Sequence, residues 1–171
     1  MCKEGILHTG IPTEEELARC GGIPSRQRME QGPVAVIECL QCIPCNPCKE
    51  ACPAGAIRIG ETITDAPVLD IERCVGCGQC IAACPGLAIT VADLSRKDGQ
   101  AELAFPFEFL PLPAVGDLVD AVDRAGAAVC RAAVLSVDQS EDNQGTSVIR
   151  IRFPAEHIAA VKSIRRLAKE V

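Results

Sequence analysis

The sequence predicts an α+β protein in three parts. A helical extension covers residues 1–33, and a cysteine-rich domain covers 34–92. A connector at 93–104 then leads to a small β-barrel-like module at 105–171, closed by a helix. Three observations predict this arrangement. A dense cysteine run recurs after 32 residues, helix-capping signals punctuate the first 33 residues, and "SVIRIRF" near the C-terminus alternates apolar and basic residues.

The extension reads as two short helices. Thr13 precedes Glu14, Glu15 and Glu16, an acid-rich first turn with the spacing of a capping box. Gly21 and Gly22 stop that helix after Cys20. Ser25 can cap "RQRMEQ", which Gly32-Pro33 then breaks. Too few apolar residues are present for a separate core, so the segment is expected to lie along the cysteine-rich domain or along a partner.

The central domain is a repeated unit. "CIPCNPCKEACPAGAIRI" from Cys42 aligns with "CVGCGQCIAACPGLAITV" from Cys74. Cys42, Cys45, Cys48 and Cys52 fall on Cys74, Cys77, Cys80 and Cys84, and Pro53 falls on Pro85. A match of this kind marks one supersecondary unit used twice. Each copy reads C-x2-C-x2-C-x3-C-P, the spacing used to bind a [4Fe–4S] cluster. Three closely spaced thiolates can wrap one cube, while the fourth leaves on a helical turn that proline terminates. "AGAIRI" and "GLAITV" then suit strands packed beside the clusters. Zinc sites ordinarily use two separated C-x2-C pairs, and these dense runs would give zinc awkward bite angles.

Residues 34–92 thus resemble a bacterial two-[4Fe–4S] ferredoxin domain. The resemblance implies that Cys42, Cys45, Cys48 and Cys84 hold one cluster, and that Cys74, Cys77, Cys80 and Cys52 hold the other. Thiolates would fill all eight ligand places, leaving no iron open to substrate. The implied chemistry is electron transfer, with no catalytic residue.

One cysteine of the first run is in excess. Cys39 aligns with Ile71 and has no counterpart in the second copy. The repeat favours Cys42 as the ligand, but a register C39-x5-C45-x2-C48 competes with it, leaving Cys42 spare. Pro44 and Pro47 stiffen the loop and are compatible with either. Cys2, Cys20 and Cys130 lie away from the motifs and carry no assigned chemistry; Cys130 is expected in the core. His8 and His157 are isolated, and the G-x-G within "VGCGQC" belongs to the cysteine loop, not to a dinucleotide fingerprint.

Beyond the polar connector, "FPFEFLPLP" is extended by its prolines. "VGDLVDAVDRAG" reads as a strand into a turn, "AAVCRAAVLSVD" as a second strand, "DQSEDNQG" as a loop and "SVIRIRF" as a third strand. The Ala-rich stretch 116–134 is also compatible with a helix. Pro154 is expected to open a final helix with Ile158, Val161, Ile164 and Leu167 or Ala168 along one face. The module contains no nucleophile–base pair and no phosphate loop.

Composition narrows the function classes. The net charge is −6, which argues against a nucleic-acid binder. Trp and Tyr are absent and Phe numbers four, which disfavours base-stacking surfaces. Residues 146–171 carry six bases against two acids, a basic end that reads mainly as a solvated face. No secretory signal or membrane span is visible, so a cytoplasmic setting is expected, where thiols stay reduced and clustered cysteines bind metal.

The whole chain is similar to the small iron–sulfur subunits that accompany flavin-dependent amino-acid or opine dehydrogenases. "GPVAVIECLQCIPCNPC" and "VGDLVDAVDRAG" carry that resemblance. It implies a hetero-oligomer in which a partner holds FAD and this chain relays single electrons through two [4Fe–4S] clusters. The alternatives are a free ferredoxin shuttle and an iron–sulfur redox sensor.

Overall fold

The computed structural model describes residues 5–168. Its frame is a seven-stranded antiparallel sheet formed by β1 (Val34–Ile37), β4 (Ile89–Asp93), β5 (Gln100–Phe107), β6 (Leu118–Val122), β7 (Ala128–Asp138), β8 (Ser147–Pro154) and β9 (Ser163–Ile164). The spatial order is β1-β4-β5-β8-β7-β6-β9. A separate hairpin pairs β2 (Ile57–Arg58) with β3 (Val68–Leu69). Among the described residues β1 and β9 remain the sheet edges, so the expected barrel is not closed.

Strand alternation sorts side chains into two cores. Ala35, Ile37, Ile89, Val91 and Ala104 pack with the cysteine-bearing segments. Val36, Ala92, Leu103, Phe105, Ile149, Ile151 and Phe153 pack in the other core, with the C-terminal strands. The β8 reading holds: Ile149, Ile151 and Phe153 are buried, while Arg150 and Arg152 lie on the opposite side and reach Glu102. The stretch 116–134 is strand β6, a turn and strand β7, with no helix.

The connector at 93–104 keeps its polar loop at residues 94–99, between the end of β4 at Asp93 and the start of β5 at Gln100. Within β5 the Glu102 carboxylate faces Arg152 directly across the ladder while Ala101 and Leu103 enter a core. One expectation is corrected: the closing helix is absent among the described residues. Ala155–His157 form one 3-10 turn, and the chain then runs as an extended edge strand on β6. Lys162 N–H donates to Val122 C=O and Arg165 N–H to Asp120 C=O. Ile158, Val161 and Ile164 are nevertheless buried as expected.

The N-terminal segment forms α1 (Ile6–Thr9), α2 (Glu14–Ala18) and α3 (Arg26–Met29), one helix more than expected. The capping box is present: Thr13 Oγ1 accepts from Glu16 N–H, and Glu16 Oε2 accepts from Thr13 N–H. Ser25 likewise caps α3 through Arg28 N–H. These helices bury no residue fully, and Met29 of α3 packs between the two cores. Ile37 N–H donates to Gly22 C=O and Leu69 N–H to Gly21 C=O. A side chain at Gly22 would sit 2.5 Å from the Ile37 carbonyl oxygen, so only glycine permits this approach. Cys2 lies outside the described residues.

Candidate iron–sulfur centres

Two short helices present the cysteines. Helix α4 (Pro47–Glu50) carries Cys48, and α5 (Gln79–Ala83) carries Cys80 and leads into Cys84. Proline at the start of α4 costs no hydrogen bond there. Cys48, Cys80 and Cys84 are buried; Cys39, Cys45, Cys52 and Cys74 are half-buried; Cys42 and Cys77 are exposed. The two helices pack together, bringing the repeated units face to face.

The thiols of the second copy line an apolar cavity. Its walls are Cys52, Cys74, Cys77 and Cys80 together with Ala35, Ala54, Ile57, Leu69, Val75 and Val91. Cys52 is therefore carried from the first copy to the cysteines of the second. Burial pushes the Cys80 thiol up to about 12, and the charges of Cys74, Cys77 and Cys52 add to that rise. On the other side, burial pushes the Cys48 thiol up to about 11, with Cys84 and Cys45 the next causes and Cys39 also contributing. Cys84 crosses in the reverse direction.

Such crowding of thiols in an apolar setting opposes ionisation unless a cationic centre is bound. Among the described residues, no three Cys, His, Asp or Glu side chains converge closely enough to hold a single metal ion. Four thiols from both repeats around one apolar cavity fit an iron–sulfur cube.

Backbone donors complete the setting. Ala56 N–H points at Cys52 Sγ (3.3 Å) and Ala88 N–H at Cys84 Sγ (3.4 Å), a pair that obeys the repeat. Ala35 N–H of β1 points at Cys74 Sγ (3.4 Å). N–H donation to ligand sulfur is one of the levers on cluster potential.

Two groups that sequence reasoning passed over hold these loops. Arg28 on α3 donates to the carbonyls of Ile71, Gly32 and Cys74 at 2.9, 3.1 and 2.7 Å, tying the extension to the second cysteine loop. Glu38, next to Cys39, accepts from Arg124 Nε and a terminal guanidinium nitrogen at 2.7 and 2.6 Å, and from Lys162 Nζ at 2.7 Å. Burial alone would raise the Glu38 pKa, but its bonds to Arg124 and the charges of both bases hold it below the usual value. Lys162 is shifted down chiefly by burial, against the pull of Glu38. The partners lie 86 and 124 residues apart in sequence, a pairing that no local pattern announces.

The remaining cysteines fit structural roles. Cys20 Sγ donates to Ile37 C=O at 3.0 Å, and Cys130 is half-buried against the C-terminal core. His8 and His157 are in neither thiol set.

Residues 41–103 match a family model described as a 4Fe-4S dicluster domain. This part of the chain is an iron–sulfur domain of the ferredoxin type. Its donor set and the match both support 4Fe-4S cofactor binding and, with it, electron transfer. Comparisons with curated proteins and with solved structures gave no match, so the whole-chain resemblance to dehydrogenase subunits gains no support there. Among the described residues no helix is long and apolar enough to cross a membrane.

Proposed function

We propose that this chain is the electron-transfer subunit of a flavin-dependent dehydrogenase, relaying single electrons through two [4Fe–4S] clusters. The observation that carries the electron relay is the reciprocal crossing of Cys52 and Cys84 between the repeated units, while the subunit role rests on the whole-chain resemblance and on the length of chain outside the matched domain. In this reading Cys74, Cys77, Cys80 and Cys52 hold one cluster. Cys45, Cys48 and Cys84 hold the other, with a fourth thiolate from Cys42 by the repeat or from Cys39. Bound clusters of this type each accept and release one electron.

The protein's own residues supply the rest. Ala35, Ala56 and Ala88 donate N–H groups to ligand sulfurs, and Ile57, Leu69 and Val91 exclude water from one site. Cys77 is exposed beside Val75, itself 64% exposed, an edge over which electrons could pass to or from a docked partner. Most of the chain lies outside the domain match. Its C-terminal half exposes Phe109, Leu110, Val115 and Leu118, as expected of a docking subunit. The partner is read as the holder of FAD, in the cytoplasm.

The test is anaerobic affinity isolation from the native host, with iron, sulfide and flavin assays. About eight irons per chain is the expectation for two four-iron clusters, together with a stoichiometric flavoprotein. Iron without any flavoprotein would leave a free ferredoxin and sink the subunit role.

A further inference from the structure

The two cysteine loops cannot follow the same path. In the second loop Gly76 and Gly78 take left-handed φ values of 64° and 85°. The aligned residues of the first loop are Pro44 and Asn46. Proline fixes φ near −65° and cannot adopt the Gly76 conformation, and Asn46 has φ −141°. A side chain at Gly76 would also meet the Pro33 carbonyl oxygen at 2.5 Å, so the second loop lies directly against the start of β1.

The different paths give the first cysteines of the two motifs different places. Cys74 is half-buried, packs against the core and receives the Ala35 N–H. Cys42, its sequence counterpart, is exposed and outside that core. Cys39 leaves the end of β1 and is half-buried against the same core as Cys52 and Cys74. Its position is fixed one residue earlier, where Glu38 N–H donates to Ala88 C=O; the Ala88 N–H in turn points at Cys84 Sγ. Cys74, Cys77, Cys80 and Cys52 line one cavity, in whose wall neither Cys39 nor Cys42 takes part.

We infer that Cys39, not Cys42, supplies the fourth thiolate of the first cluster. The ligand spacing of that loop becomes C-x5-C-x2-C, with Cys42 a free thiol on the outer side of the loop. The inference rests on the iron–sulfur reading and changes one ligand in it.

The experiment is alkylation of anaerobic, cluster-loaded wild-type protein with iodoacetamide, read by peptide mass spectrometry before and after iron chelation. Cys42 should label in the loaded protein at least about tenfold faster than Cys39. Chelation should raise Cys39 labelling and leave Cys42 unchanged, and Cys39→Ala should lose about half the iron and sulfide, which separates ligation from mere burial. Cys42→Ala should keep full iron and sulfide. Protection of Cys42 until chelation, or loss of about half the iron in Cys42→Ala, overturns the inference. Wild-type protein that takes up no iron and sulfide overturns the iron–sulfur reading beneath it.

Discussion

Replacing Glu38 by Gln should leave Arg124 and Lys162 facing each other without their shared anion. The side chains of Glu38, Arg124 and Lys162 are 16%, 25% and 18% exposed, so solvent screens them only in part. Each contact at 2.6–2.7 Å is a charge-assisted hydrogen bond. Breaking a buried ion pair by removing one partner costs roughly 3–5 kcal/mol. The residual exposure argues for the low side of that range or just beneath it, about 2–3 kcal/mol. In a chain of this size each kcal/mol shifts Tm by about 2–4 °C, so melting should fall by roughly 4–12 °C. The assay is anaerobic thermal unfolding at equal iron content, with Lys162→Met and the double variant completing a cycle. The pH dependence has a definite sign. A carboxylate whose folded pKa is depressed contributes fully above its unfolded value, about 4.3. That contribution disappears as pH falls through the lower folded pKa. Glu38→Gln should therefore flatten the acid limb of the wild-type stability profile. A loss below about 0.5 kcal/mol, the range of an ordinary surface substitution, or strict additivity with Lys162→Met, would refute the reasoning.

Cys77→Ala should remove one cluster, halve the iron content and lower the unfolding midpoint, because cluster binding contributes to folding; unchanged iron would contradict its ligand role. Arg28→Met should cost about 2 kcal/mol, since three carbonyls lose charged donors worth roughly 1.5–3 kcal/mol each before compensation by water. It should also speed chelator-driven iron loss, and identical release kinetics would count against it. Gly22→Ala must displace Ile37 by several tenths of an ångström or more, an overpacking cost of about 1–3 kcal/mol. A urea midpoint equal to wild type would show that β1 yields freely.

The cysteine repeat, the Thr13 and Ser25 caps and the β8 alternation were legible because each depends on residues close in sequence. The final helix was misread for a physical reason. Ile158, Val161 and Ile164 recur every third residue, which suits a helix face, yet all three are buried by an irregular turn and an extended edge. What decides between them is the free edge of β6, which accepts the Lys162 and Arg165 amides and is invisible without the sheet. The strand at residues 100–104 was hidden for a similar reason, since Glu102 finds its arginines only across a ladder that joins distant segments. The crossing of Cys52 came from the resemblance, whereas the separate routes of the two cysteine loops needed backbone angles.

Strand β5 sends Ala104 toward the thiol-bearing core and Leu103 and Phe105 into the opposite one. It also pairs with β4 on one side and β8 on the other. A chain cut after residue 92 would leave β4 with an open, unpaired edge and strip one wall from the first core. The metal-bearing half is therefore not a detachable cassette. Stripping its inorganic contents should loosen the distant strands in the same transition, and docking at those strands should stiffen the sulfur cages.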